Sequence, residues 1–141
     1  MNKELMFSSK RGDWETPEWF FESLDKEFHF TLDPCASREN AKCEKYYTKE
    51  EDGLAQDWEG ETVFCNPPYG RELKKWIKKC YEEAQKPKTK IVMLIPARTD
   101  TVAFHKYILH KASIRFIKGR LKFSGHKNAA PFPSMVVVYG A

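Results

Sequence analysis

The chain has 141 residues, 41% of them apolar and 31% charged, with a formal net charge of +4. This is enough for one sizeable core and too little for two, so residues 1–141 are expected to form a single domain, and no apolar run approaches the ~20 residues that a membrane-spanning helix needs. The net charge conceals a segregation: residues 1–65 hold 8 Lys/Arg against 16 Asp/Glu, whereas residues 66–141 hold 16 against 4.

The polar opening Met1-Asn2-Lys3-Glu4 does not read as a secretory leader. Thr16-Pro17 opens the first helix, with Thr16 as N-cap and Pro17 in the first helical position. Trp19, Phe20, Leu24 and Phe28 follow as an apolar stripe at helical spacing. His29-Phe30-Thr31-Leu32 reads as a short strand ending at Asp33-Pro34, residues 36–44 as a short helix, and Lys45-Tyr46-Tyr47-Thr48 as a second strand. An acidic loop over 49–61, with Asp52-Gly53 and Asp57, leads into the apolar run Thr62-Val63-Phe64-Cys65. Leu73, Trp76, Ile77, Cys80, Tyr81 and Ala84 keep a helical period, with Lys74, Lys75, Lys78 and Lys79 on the opposite face. Ile91-Val92-Met93-Leu94-Ile95, closed by Pro96, is expected to be a strand buried on both faces. A helix over 101–112, a strand over 113–123 and a last strand Met135-Val136-Val137-Val138-Tyr139 complete the order. Alternating strands and helices predict an α/β layered sheet, and the final two strands, joined without a helix, predict an antiparallel pair at one edge. Ligands in such sheets sit beyond the carboxyl ends of the strands, which would bring Asp33 and Asn66 to one crevice. The cysteines, Cys35, Cys43, Cys65 and Cys80, form no C-x-x-C pair and no metal-binding spacing, so reduced thiols, a cytoplasmic setting and no metal are expected.

Asn66-Pro67-Pro68-Tyr69 carries the chemistry. Average composition gives such a tetrapeptide by chance in a chain of this length with a probability on the order of 10⁻³. Two prolines lock the turn after the strand, holding a side-chain amide, a backbone carbonyl and an aromatic ring together. That set can grip a flat, amino-bearing ring such as adenine, whose N6 lone pair is delocalised into the ring. Accepting both amino hydrogens, on the Asn66 oxygen and the Pro67 carbonyl, favours a more tetrahedral nitrogen and stabilises the charge that develops as it attacks a methyl donor. Tyr69 can stack on the ring face, and Pro68 pre-organises the loop. A base inside a duplex would have to flip out to reach the pocket.

The tetrapeptide, and the ordered set around it, resembles the phage and prophage DNA N-6-adenine methyltransferases of Dam type, which use S-adenosylmethionine. The matching stretches are Trp14-Glu15-Thr16-Pro17, Phe30 through Ser37, Asp52-Gly53-Leu54 through Asp57-Trp58, Phe64 through Gly70, Met93 through Asp100, Ile117 through Phe123, and Ala130-Pro131-Phe132-Pro133. The resemblance implies a Rossmann-like methyltransferase sheet, mostly parallel with an antiparallel final strand pair. It implies that Asp33 contacts the methionine end of the cofactor, that Thr16-Pro17 closes over the same end, and that Asp57, or else Asp52, lies near the adenosine. Where many methyltransferases have a glycine-rich turn after the first strand, this chain has Asp33-Pro34-Cys35-Ala36-Ser37-Arg38-Glu39-Asn40, in which small Ala36 and Ser37 permit close approach. Asn40 reads equally as a cofactor ligand or as a surface residue.

An acidic first half suits a cationic cofactor and a basic second half suits nucleic-acid phosphates, unless the charges mix on the folded surface. Double-stranded DNA is the expected partner. Arg98, at a strand end, and Lys118, Arg120, Lys122 and Lys127, on a basic loop, are the candidate DNA contacts. The lysine face after Gly70 reads more simply as a solvated helix surface, and His105 and His110 as helix-surface residues. Methylation of RNA or of a protein glutamine, and a catalytically dead DNA-binding module, remain as competing readings. The recognition sequence and the oligomeric state are not written in any residue pattern. A bacterial or phage-infected cytoplasm is the expected compartment.

Overall fold

The computed structural model describes residues 14–140, so the polar opening Met1–Glu4 lies outside the described residues. Among the described residues, six strands form one sheet: β1 (Leu32–Asp33), β2 (Lys45–Tyr46), β3 (Thr62–Cys65), β4 (Lys90–Pro96), β5 (Ser113–Phe116) and β6 (Ser134–Tyr139). Their spatial order is β2-β1-β3-β4-β6-β5. The first four are mutually parallel, and β6 runs antiparallel to both β4 and β5. This is the expected mostly parallel sheet with an antiparallel final pair. Its parallel strands bring Asp33, Asn66 and Pro96 to one carboxyl edge.

Alternation along β4 divides the core into two layers. Ile91, Met93 and Ile95 face helix α2 (Leu73–Ala84), packing with Trp76, Ile77 and Cys80. Val92 and Leu94 face helix α1 (Glu18–Phe28), packing with Phe21, Leu24, Phe123 and Phe132. Every residue of Ile91–Ile95 is at most 1% exposed, as a strand covered on both faces requires.

Four local expectations are corrected. Helix α1 begins at Glu18 with Pro17 in the N-cap position and no side-chain cap, so Thr16 does not cap it. The Pro17 carbonyl instead accepts from Phe20 and Phe21 N–H, 3.1 Å each. Residues 36–44 form turns rather than a helix. The Asp33 carboxylate takes the N–H groups of Cys35 and Lys42, and Ser37 and Asn40 bond each other's backbone, which consumes the donors that a helix would need. Over 101–112 the expected helix is confined to 102–108 and widens into a π-helical turn, Phe104–Ile108, closed by Leu109 N–H on the Phe104 carbonyl (2.9 Å), which seats Phe104 and Ile108 on the sheet. Strand β5 stops at Phe116, because the chain then leaves the sheet to bury Leu121 and Phe123 over its α1 face.

Candidate active site

The loop after β3 is anchored on both sides. Asn66 Nδ2 donates to the carbonyl of Trp14 (2.5 Å) and to Thr16 Oγ1 (2.9 Å). The Tyr69 hydroxyl lies 2.9 Å from Asn66 Oδ1 and 3.1 Å from the Leu94 carbonyl, donating to both acceptors in turn. Burial pushes the Tyr69 phenol well above its ordinary pKa, so it stays a protonated donor. The Tyr69 ring meets Phe132 and Phe123 edge to face, with centroids 5.7 and 6.4 Å away. Cys35 Sγ donates to the Asn66 carbonyl (3.2 Å) and lies 3.8 Å from Cys65 Sγ. All four cysteines are free thiols. Gly70 then turns at φ 104, a conformation that favours glycine, and lets α2 start three residues later.

Two clefts meet at this loop. The smaller, about 80 Å³, is lined by Thr16, Asp33, Asn40 and Asn66 together with Cys35 and Lys42. Asp33 and Asn66 therefore do share one crevice. Asp33 is 5% exposed, and burial pushes its carboxyl up to about 6, against the lowering effect of the Lys42 and Cys35 N–H groups and the Lys42 charge. The Lys42 ammonium is ion-paired to Glu18 at 2.8 Å rather than to Asp33. A buried carboxylate held by two N–H groups and, among the described residues, by no cationic side chain is a ready acceptor for a ligand's positive charge.

The larger cleft, about 1050 Å³, lies on the other side of Tyr69, between the start of α2 and the Arg98–Phe104 segment. Its apolar floor includes Ile95, Phe132 and Met135, and its rim carries Arg71, Lys74, Lys75 and Arg98. Trp14 borders both clefts. It stacks on His126 at 4.2 Å and 10°, while Glu15 bridges to Ser124, so the 14–16 segment is strapped to the loop after β5.

The expected site residues divide accordingly. Thr16, Asp33, Asn40, Asn66, Pro67 and Pro68 line the smaller cleft, and Tyr69 and Arg98 the larger. Pro17, Pro34 and Ala36 lie beside the cleft without lining it: Pro17 caps α1, Pro34 is buried, and Ala36 N–H bonds the Tyr47 carbonyl. Asp57 lies apart, in the segment leading into the amino end of β3, and its carboxylate pairs with Lys86 at 2.8 Å. Asp52 is nearer, because the adjoining Gly53 packs directly on the Pro34 carbonyl. Lys118, Arg120, Lys122 and Lys127 are exposed on the loop after β5 and line neither cleft. Nothing in the sequence marked Cys35 or Lys42. Lys74 and Lys75, which read as a solvated face, rim the larger cleft; their position one turn after the tetrapeptide is the signal that could have placed them there. Lys79 on the same helix is instead paired with buried Glu83 at 3.1 Å.

No described helix is long and apolar enough to cross a membrane. The sequence model of the family described as DNA N-6-adenine-methyltransferase (Dam) matches residues 4–139. A DNA N-6-adenine-methyltransferase of Haemophilus phage HP1 is 28% identical over 147 residues, covering 99% of this chain and 84% of that protein. Another, of Escherichia phage T1, is 34% identical over 113 residues, covering 79% of this chain and 47% of that protein. With its tetrapeptide at the junction of two clefts and a family match over nearly its whole length, the chain belongs to the DNA N-6-adenine-methyltransferase (Dam) family.

Proposed function

We propose that the chain, acting as a single domain, transfers a methyl group from S-adenosylmethionine to adenine N6 in double-stranded DNA, by direct in-line attack of a base flipped into the larger cleft. The observation that carries this reading is the Asn66 amide, fixed by three hydrogen bonds in the wall of a cleft holding a buried carboxylate and bonded to Tyr69, which lines the cleft with a basic rim. The donor set of the smaller cleft fits the cofactor's charged end: Asp33 offers a carboxylate to a cation, and Thr16 and Asn40 add polar groups. When bound, S-adenosylmethionine supplies a methyl group on a sulfonium that leaves as a neutral thioether. Asn66 Oδ1 and the Pro67 carbonyl accept the amino hydrogens and stabilise positive charge growing on N6. Tyr69 presents its ring to the base, and Phe123 and Phe132 hold that ring in place. Arg98, with Lys74 and Lys75, neutralises phosphates beside the flipped nucleotide, and the exposed Lys118, Arg120, Lys122 and Lys127 supply a further basic stretch. The expected setting is the cytoplasm of a bacterium or of a phage-infected host.

Transfer of a tritiated methyl group to unmethylated DNA, total RNA and a protein extract, in parallel, tests the reading. Label in DNA, recovered as N6-methyladenine after digestion, is the expected result. Label confined to RNA or protein would overturn the substrate, and no label in any acceptor would overturn the activity.

A further inference from the structure

We propose that Thr16 is a positioning residue for the amide of Asn66: its hydroxyl, with the Trp14 carbonyl, holds the amide so that only its oxygen can face the substrate amine. The inference rests on the reading of Asn66 given above. An Asn side chain ends in a donor and an acceptor of nearly the same shape, and half a turn about the last bond exchanges them. An amino group can use only the acceptor. A flipped amide would set N–H against N–H at the reacting nitrogen and remove the stabilisation of its growing charge.

The Trp14 carbonyl excludes the flip, and two hydroxyls brace the orientation that it sets. The Trp14 carbonyl can only accept, so the amide end 2.5 Å from it must be the nitrogen. Thr16 Oγ1 accepts the second Nδ2 hydrogen at 2.9 Å. The Tyr69 hydroxyl donates to the opposite end at 2.9 Å and has an alternative acceptor in the Leu94 carbonyl at 3.1 Å. It can therefore turn to Leu94 when a substrate amine takes its place on Oδ1. Thr16 is itself held: it is 2% exposed, Pro17 begins the turn into α1 behind it, and Glu15 in front of it bridges to Ser124. A hydroxyl with no room to wander, reaching an amide 50 positions along the chain, is built for orientation. Thr16 also lines the cofactor cleft, so the two roles must be separated by experiment.

Thr16→Val keeps the shape of the side chain and removes the acceptor, while Thr16→Ser keeps the acceptor. For each, steady-state methyl transfer gives kcat and KM for DNA, calorimetry gives cofactor affinity, and thermal unfolding gives stability. Because Trp14 still holds one hydrogen, Thr16→Val is expected to lower kcat about 10-fold. KM for DNA should stay within about twofold, cofactor affinity should fall by less than kcat does, and Thr16→Ser should recover most of the rate. The Asn66 side-chain amide protons, followed by NMR, should show one of the pair losing its protection in Thr16→Val. Unchanged kcat in Thr16→Val, alongside an inactive Asn66→Ala, would overturn the positioning role. So would a loss confined to cofactor affinity, which would make Thr16 a cofactor contact, or a failure of serine to restore the rate. If label passes to RNA or protein instead of DNA, the substrate reading fails, and the valine–serine contrast is read on that acceptor.

Discussion

Asp33 titrates in an unusual range, and its replacement by Asn tests why. The side chain is 5% exposed, and burial pushes its carboxyl from an ordinary 3.8 up to about 6. Between those values the folded chain keeps a proton that the unfolded chain has already released. The stability this group contributes is therefore fully present below about 3.8, falls as pH rises, and is gone above about 6. The whole gap is worth ~3 kcal/mol, of which ~2 kcal/mol falls between pH 4.5 and 7.5. Asp33→Asn has no such dependence. It carries a constant penalty instead, because Asp33 Oδ1 and Oδ2 accept from Cys35 and Lys42 N–H, and an amide has only one oxygen to offer. That mismatch costs ~1–3 kcal/mol.

The difference in unfolding free energy, variant minus wild type, should thus rise by ~2 kcal/mol from pH 4.5 to 7.5, from whatever offset the lost N–H acceptor sets. Urea denaturation of both proteins at six or seven pH values, without cofactor, measures it. A difference flat to within ~0.5 kcal/mol would refute the reasoning, since it would mean that the carboxyl ionises equally in both states. A cationic ligand should act on the same group from the other side. Binding to the ionised carboxylate makes wild-type affinity rise ~10-fold per pH unit below 6 and level off above it. The variant should bind more weakly with no such rise, and calorimetry with S-adenosylmethionine reads both.

Asn66→Ala should still fold and bind cofactor, with some loss of stability from the three part-buried hydrogen bonds removed, yet lose ~100-fold or more of its methyl transfer to DNA; near-normal transfer would remove Asn66 from the chemistry. Glu83→Ala should cost ~3 kcal/mol in urea denaturation, because buried Glu83 accepts Trp58 N–H (2.7 Å) and pairs with Lys79 and Lys86. Its carboxyl is held below the ordinary range, so the stability it supplies is present above about 4.5 and lost as pH falls; the variant should lack that loss. Gly53→Ala would bring a Cβ to 2.0 Å from the Pro34 carbonyl, shifting the turn that carries Asp33; a stability loss of ~1–3 kcal/mol by thermal unfolding, together with weaker cofactor binding by calorimetry, is expected. Lys74→Gln, Lys75→Gln and Arg98→Gln should each weaken DNA binding, and each should reduce the slope of log affinity against log salt by ~0.9 in a fluorescence titration.

What was legible in the sequence was whatever a single period could encode. Leu73–Ala84 buries Trp76, Ile77 and Cys80 on one side, and β4 is apolar from Ile91 to Ile95 because both faces are covered; each pattern has one physical interpretation. The segment after β5 shows where that logic stops. Leu121 and Phe123 alternate with exposed Arg120 and Lys122, which is the pattern of a strand, but the chain lies over the sheet rather than in it. Alternation records which side chains are buried and not what the backbone bonds to. The 36–44 segment failed for a different reason: Asp33, earlier in the chain, takes the Lys42 N–H. Likewise Thr16 reads locally as a cap before Pro17, whereas its hydroxyl is engaged by an amide that only the fold brings near.

The charge segregation has a structural meaning narrower than a division of the chain into two halves. Much of it cancels across the fold, as Arg115 pairs with Glu27 and Lys86 with Asp57. What survives cancellation is local: Asp33 in the smaller cleft pairs with no side-chain cation among the described residues, and Arg71, Lys74 and Arg98 gather on the rim of the larger, where Lys75 is paired with Glu72 at 3.4 Å. On the proposed function, a methyl donor carrying a sulfonium and an acceptor carrying phosphates would be drawn to opposite sides of one loop. Two prolines deny that loop the freedom to follow either ligand. The reacting partners must then come to Asn66 rather than Asn66 to them. This explains why the loop is tied from both directions, by Trp14 and Thr16 ahead of it and by Tyr69 behind. On this account, loosening those ties should cost rate before it costs binding.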